Sequence, residues 1–221
     1  MFTKVLIAED FDSINIALIQ TLENMGVKEI EHAKYCDDAL LKAKKAIQDK
    51  APFDLLISDL SFETDYRTVS LKSGEELIMA IRKIQPEIPV LVYTVEDKSF
   101  VIKTLIKDLK VNAFVHKGRN SISQLKTAME TILFGGNFIS QNLAHALKDT
   151  NFNEIEDYDV EVLTHLAKGV TIEEMELLFK SKDIKPNSKS YIEKRVSKLK
   201  DVFKAKTTIH LIALSKDLGI I

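Results

Sequence analysis

Apolar and polar positions follow two textures along this chain. Up to about residue 135, short apolar runs take turns with longer stretches of helical spacing. Lys4–Ala8 (KVLIA) is the first run. Ser13–Met25 follows it, with Ile14, Leu18, Leu22 and Met25 spaced as on one face of a helix, and Gly26 marks its end. Val27–Ala33 is a weaker strand centred on Ile30, and Asp37–Gln48, rich in Ala, Leu and Lys, reads as helix. Phe53–Leu60 is apolar again. Gly74–Ile84 is helical up to the stop before Pro86, and Pro89–Val95 (PVLVYTV) is a strand rich in β-branched residues. Asp97–Leu109 reads as helix, Ala113–His116 (AFVH) as strand, and Ser121–Phe134 as a helix closed by Gly135 and Gly136.

Strand followed by helix, repeated in this way, predicts a five-stranded parallel sheet, doubly wound with helices on both faces. Burial on both faces explains why the first, third and fourth runs are nearly pure apolar. In open sheets of this kind the functional crevice lies beyond the carboxyl ends of the strands. The residues at those ends therefore matter most.

The second texture begins near Asn151, where NFNEIEDYDVE is acidic and polar, and no further strand run follows. Asp159–Lys168 is helical and stops at Gly169. Thr171–Glu174 (TIEE) is a capping box that opens a helix carrying Met175, Leu177, Leu178 and Phe179. Lys189–Phe203 and Thr207–Leu218 complete a small all-helical domain. The expected division is an α/β domain over 1–136, a linker over 137–153 and the helical domain over 154–221.

Totals change this picture little. The 221 residues suit one domain of roughly 120 residues and a smaller one. Hydrophobic content of 45%, charged content of 29% and a net charge of −2 are those of an ordinary globular chain and select no partner. The single cysteine, Cys36, excludes an internal disulfide and fits a reducing compartment. The opening MFTKVLIAEDFD is not a signal peptide, and no apolar run approaches the roughly 20 residues of a membrane span. A cytoplasmic protein without a membrane partner is expected. The five histidines are scattered and have no metal-ligand spacing.

The chemistry gathers at the strand ends. The first strand ends in Glu9 and Asp10, the third in Asp59, the fourth in Thr94 and the fifth in Lys117. All lie on one edge of a parallel sheet. Three carboxylates crowded together repel one another unless a cation joins them. Glu9, Asp10 and Asp59 form a hard oxygen site of the kind Mg²⁺ prefers. With Mg²⁺ beside it, Asp59 can attack an electron-poor phosphorus, while Lys117 and Thr94 reach phosphoryl oxygens.

These pieces, VLIAED, LLISDL, LVYT and FVHKG, resemble the receiver domain of bacterial two-component response regulators, a flavodoxin-like fold. The resemblance implies that Asp59 is phosphorylated by a histidine kinase, and that Glu9, Asp10, Asp59 and the backbone carbonyl of Ser61 hold Mg²⁺. It also implies that Thr94 and Phe114 form the switch pair and that Lys117 contacts the phosphoryl group. Such a protein is a phosphoacceptor with at most slow autodephosphorylation, not a turnover enzyme. The chain departs from the family in the loop Ser61–Ser73 (SFETDYRTVSLKS), which is longer than usual and lacks the family's Pro. Two readings stay open for it: a device that tunes the site, or a tolerated surface insertion.

Between Pro186 and Lys206, seven basic residues face only Glu193 and Asp201. A basic stripe on one helix is the electrostatic footprint of DNA reading. EVLTHLAKG, TIEEM and the segment from Ser188 to Phe203 resemble the LuxR-type helix-turn-helix, which makes the whole a NarL/FixJ-type response regulator. The resemblance implies double-stranded DNA as partner, a homodimer, and DNA contacts from Lys189, Tyr191, Lys194, Arg195, Lys198 and Lys206. Ile192, Val196, Leu199 and Phe203 are the expected buried stripe, with Ser188 as N-cap. The turn KSKDIKPNS is longer than the family's and either extends the preceding helix or enlarges the turn. A receiver with a protein-binding or phosphate-independent output is the alternative. A haloacid dehalogenase-type phosphohydrolase is a third, and it wants an acid where Ser61 stands.

Overall fold

The computed structural model describes residues 1–63, 65–141, 143–144 and 155–221. Most of the second half of the linker expected at 137–153, and the expected domain start at 154, lie outside the described residues. The chain divides into two compact units, one α/β and one helical.

In the α/β unit the order is β1 (Lys4–Ala8), α1 (Asp12–Asn24), β2 (Glu29–Ala33), α2 (Cys36–Gln48), β3 (Leu55–Ser58), α3 (Gly74–Ile84), β4 (Val90–Thr94), α4 (Ser99–Leu109), β5 (Ala113–His116), α5 (Ser121–Leu133) and β6 (Phe138–Ile139). The sheet runs β2-β1-β3-β4-β5-β6, and every pairing is parallel. Six strands stand where five were expected. β6 pairs Phe138 with Ala113 and Ile139 with Phe114. Two residues are too few to show alternation, and they fall in the stretch expected to be linker. Ser140 secures this edge. Its buried hydroxyl accepts the His116 N–H at 2.9 Å and donates to Gln124 at 2.5 Å.

Pleating sends successive residues to opposite faces. Val5, Ile7, Leu55, Ile57, Leu91, Tyr93 and Val115 pack with Leu18 and Leu22 of α1 and with Leu125, Met129 and Ile132 of α5. The alternate residues Leu6, Leu56, Val92 and Phe114 are also buried. So are Ala39 and Ala43 of α2 and Leu77, Ile78 and Ile81 of α3, which have their apolar stripes at helical spacing. After β1 the chain turns to β2 on one side, and after β2 it crosses to β3 on the other. The order thus reverses beside β1, and a crevice opens there at the carboxyl ends.

The helical unit comprises α6 (Asp157–Ala167), α7 (Ile172–Ser181), α8 (Lys189–Val202) and α9 (Thr208–Asp217). Its core joins Val162, Leu163, Met175, Phe179, Ile192, Val196, Leu199 and Leu211. The capping box forms as read: Thr171 Oγ1 accepts the Glu174 N–H at 3.3 Å, and Glu174 takes the Thr171 N–H at 2.8 Å. The long turn does not extend α7, which ends at Ser181. Residues 182–188 absorb the extra length, held by Ile184 against the core and by the Tyr158 hydroxyl on the Pro186 carbonyl at 2.8 Å. Ser188 takes the N-cap position of α8, but its side chain makes no capping hydrogen bond.

Phe179 is the central aromatic of this unit, fully buried and edge-on to Tyr158 and His165 at 5.7 and 5.8 Å between centroids. Replacing it by Ala removes that filling and leaves a cavity. The expected loss is about 3–5 kcal/mol, read from the urea unfolding of the helical unit.

Candidate functional site

The strand ladder itself delivers the site. Just past each strand end one more backbone bond forms: Glu9 N–H to the Ala33 carbonyl at 3.0 Å, Asp59 N–H to Ala8 at 2.9 Å, and Lys117 N–H to Thr94 at 2.7 Å. Three functional residues are thereby fixed in backbone before any side chain acts. Behind Asp59 the chain needs a glycine. A Cβ on Gly74 would sit 1.8 Å from the Asp59 carbonyl oxygen, so only glycine lets α3 begin against that loop.

Glu9 and Asp59 are buried, at 1% and 4% exposure. The Lys117 ammonium lies 2.6 Å from Asp59 Oδ2 and 2.7 Å from Glu9 Oε2. The other Asp59 oxygen accepts the Leu60 N–H at 2.6 Å. Asp10 is half-buried, and its Oδ2 takes the Glu63 N–H at 2.7 Å. Its Oδ1 is buried and has no hydrogen-bond partner among the described residues. Ligand atoms of Glu9, Asp10 and Asp59 all lie within 4.8 Å of one another. One ammonium among three carboxylates leaves the cluster negative. Together with the orphaned Asp10 oxygen, this fits a small hard cation held by oxygens. A cavity of about 370 Å³ opens at this point, lined by Asp10, Phe11, Asp59, Ser61, Glu63 and Lys117 among others.

Thr94 ends β4, wholly buried, and its hydroxyl accepts the Glu96 N–H at 3.2 Å. Phe114 is wholly buried in β5, opposite Val92. Neither lines the cavity. Sequence reasoning did not name Glu63, Tyr35 or Arg67, whose contacts tie the long loop to the site's surroundings. The unusual length of that loop was the only signal. Cys36 is buried and its thiol is pushed up to about 12, chiefly by burial.

In the helical unit, the expected contact residues separate by their place around α8. Lys194 and Lys198 are exposed on the side away from the stripe of Ile192, Val196 and Leu199, and Tyr191 is exposed on its flank with its ring edge-on to Tyr158 at 5.8 Å. Lys206 is exposed beyond the helix. Lys189 lies on the flank, bonded to Glu173 and 3.9 Å from Glu193. Arg195 corrects the sequence reading. It was expected to contact DNA, yet its guanidinium faces inward, forked onto Asp159 and 3.1 Å from Glu156. The reason is Asp159, which is completely buried and requires a cation. The position next to Val196 and one turn from Ile192 and Leu199 borders the core, so Arg195 can supply it.

Burial raises the Glu9 carboxyl above its ordinary value of 4.5, and Asp59 adds to the rise, while Lys117 pulls it back. A raised folded-state value means that the folded protein keeps a proton which the unfolded chain has lost. The associated stability is complete below 4.5 and is lost as pH rises through the raised value. Glu9→Gln never ionises. Its metal-free melting temperature should match that of the wild type near pH 4 and exceed it near pH 8, measured by circular dichroism.

A family model, the response regulator receiver domain, matches residues 5–130. No curated protein matches the chain. Among solved structures, the two-component response regulator RcsB in complex with DNA is similar, at 19% identity and TM-score 0.66 over 98% of each chain. RcsB of Salmonella enterica serovar Typhimurium, bound to the rprA promoter with the phosphomimetic BeF₃⁻, is similar at 20% identity and TM-score 0.65, over 99% of this chain and 98% of that one. The isolated receiver domain of the same protein covers 66% of this chain and 98% of its own, at 22% identity and TM-score 0.52. These likenesses show a receiver fold followed by a small helical fold. With the family model spanning more than half of its length and the acidic cluster in place, the chain belongs to the response regulators with a receiver domain.

Proposed function

We propose that this protein is a phosphorylation-controlled transcription regulator of the NarL/FixJ type, acting in the cytoplasm. The observation that carries the reading is the convergence of Asp59, Glu9, Asp10 and Lys117 at one crevice. A carboxylate oxygen of Asp59 attacks the phosphorus of a kinase phosphohistidine, the O–P bond forms and the N–P bond breaks. Glu9, Asp10, Asp59 and the Ser61 carbonyl are the residues that would hold Mg²⁺, which when bound neutralises charge on the phosphoryl oxygens. Lys117, already against Asp59, transfers its contact to a phosphoryl oxygen. Thr94 gives up its bond to the Glu96 N–H to reach another, and Phe114 follows as the partner in the switch. Asp59 is thus a phosphoacceptor, with slow autodephosphorylation as its only turnover.

The output is DNA binding by a homodimer. The similar RcsB structures are complexes with DNA. Tyr191, Lys194 and Lys198 form the exposed face of α8, and Lys206 and the flanking Lys189 add positive charge to the same unit. Most such lysines contact phosphate and set affinity rather than sequence. Arg195 holds Asp159 and takes no part.

Binding to a random-sequence duplex, titrated against salt with and without a small phosphodonor, tests this. Phosphorylation should tighten binding. Lys194→Ala with Lys198→Ala should lower the slope of log K against log salt by about 2. No salt-dependent binding in either form would instead indicate a protein-binding output.

A further inference from the structure

We infer that the long loop between Ser61 and Ser73 is a strap that presets Asp10 for its cation, and that Arg67 is the positioning residue that anchors it. The loop leaves the end of β3 and reaches the first turn of α2, on the far side of β1. There it is fastened at successive points. The Tyr35 hydroxyl donates to Asp65 at 2.5 Å. The Arg67 guanidinium forks onto Asp38 at 2.9 and 2.6 Å and lies 4.3 Å over the Tyr35 ring. The N–H groups of Ser70 and Leu71 donate to the two oxygens of Asp37 at 2.7 and 3.1 Å. Asp37 and Asp38 occupy the first turn of α2, where the helix dipole favours carboxylates.

A tolerated insertion would need none of these bonds. Their consequence appears at the other end of the strap, where the Glu63 N–H is set on Asp10 Oδ2. A carboxylate has two oxygens and a rotatable bond. With one oxygen committed to a backbone donor, the other, Oδ1, stays buried beside Glu9 and Asp59, without a hydrogen bond among the described residues. The ordering of Asp10 is completed on folding and is not charged against metal binding. Outer partners that orient a metal ligand are worth about 10–100-fold in affinity. Arg67 acts one step further away through exposed contacts, so its share is smaller.

This inference rests on the metal-binding reading of the cluster, and calorimetric titration of the unphosphorylated full chain with MgCl₂ separates the two. Arg67→Ala and Asp38→Ala should each weaken Mg²⁺ binding about 3–10-fold, with the metal-free melting temperature unchanged. Because they act through one bond, the double variant should lose no more than the weaker single variant. Affinity of Arg67→Ala within twofold of wild type would overturn the strap, as would losses that multiply in the double variant. A wild-type chain that binds no Mg²⁺ would remove the metal site itself, and the strap's role with it.

Discussion

Two buried carboxylates, Glu9 and Asp59, share one ammonium, Lys117, and the α/β unit is arranged to make that arrangement tolerable. Burying a carboxylate is costly unless it is paired and hydrogen-bonded. Here the pairing comes from three different strands, so it exists only when β1, β3 and β5 lie in register. The backbone bonds that continue the ladder past each strand end hold that register up to the site. The lysine offsets part of the charge, and the negative remainder suits a cation. A negative cluster in which Asp10 Oδ1 is buried without a hydrogen-bond partner among the described residues is suited to a small hard cation.

The helical unit meets the same constraint differently. Asp159 is as buried as Glu9, and Arg195 satisfies it within the unit. The hydrogen bonds to Asp159 hold the guanidinium well above the ordinary arginine range, and Glu156 stands 3.1 Å from the same guanidinium. One buried acid is therefore left open to chemistry and another is sealed as structure. The difference lies not in the depth of burial but in the surroundings: Glu9 stands with Asp59 and Asp10 beside an open cavity, while Asp159 is forked by Arg195.

The sequence carried much of this. Apolar runs bounded by turn residues located the strands to within one or two residues, and Gly74–Ile84 and Ala113–His116 fell where expected. Glu9, Asp10, Asp59 and Lys117 were legible because a parallel sheet puts strand ends together whatever the loops do. β6 was not legible, since two residues show no period and its partner lies far back in the chain. Arg195 misled for a related reason. Charge along one helix does not reveal a buried acid on another, and Asp159 stands among acidic neighbours that read as solvated. The contacts of the long loop were hidden too, because they join Asp37 and Asp38 to residues about 30 positions away with no periodic pattern.

The proposed function rests on Asp59, held at the end of β3, accepting a phosphoryl group. Intact mass after incubation with a small phosphodonor and Mg²⁺, for the wild type and for Asp59→Asn, tests it most directly. A gain of one phosphoryl group is expected in the wild type, lost when Mg²⁺ is chelated and absent in the variant. No gain in a folded wild-type chain, or an equal gain in Asp59→Asn, would contradict it.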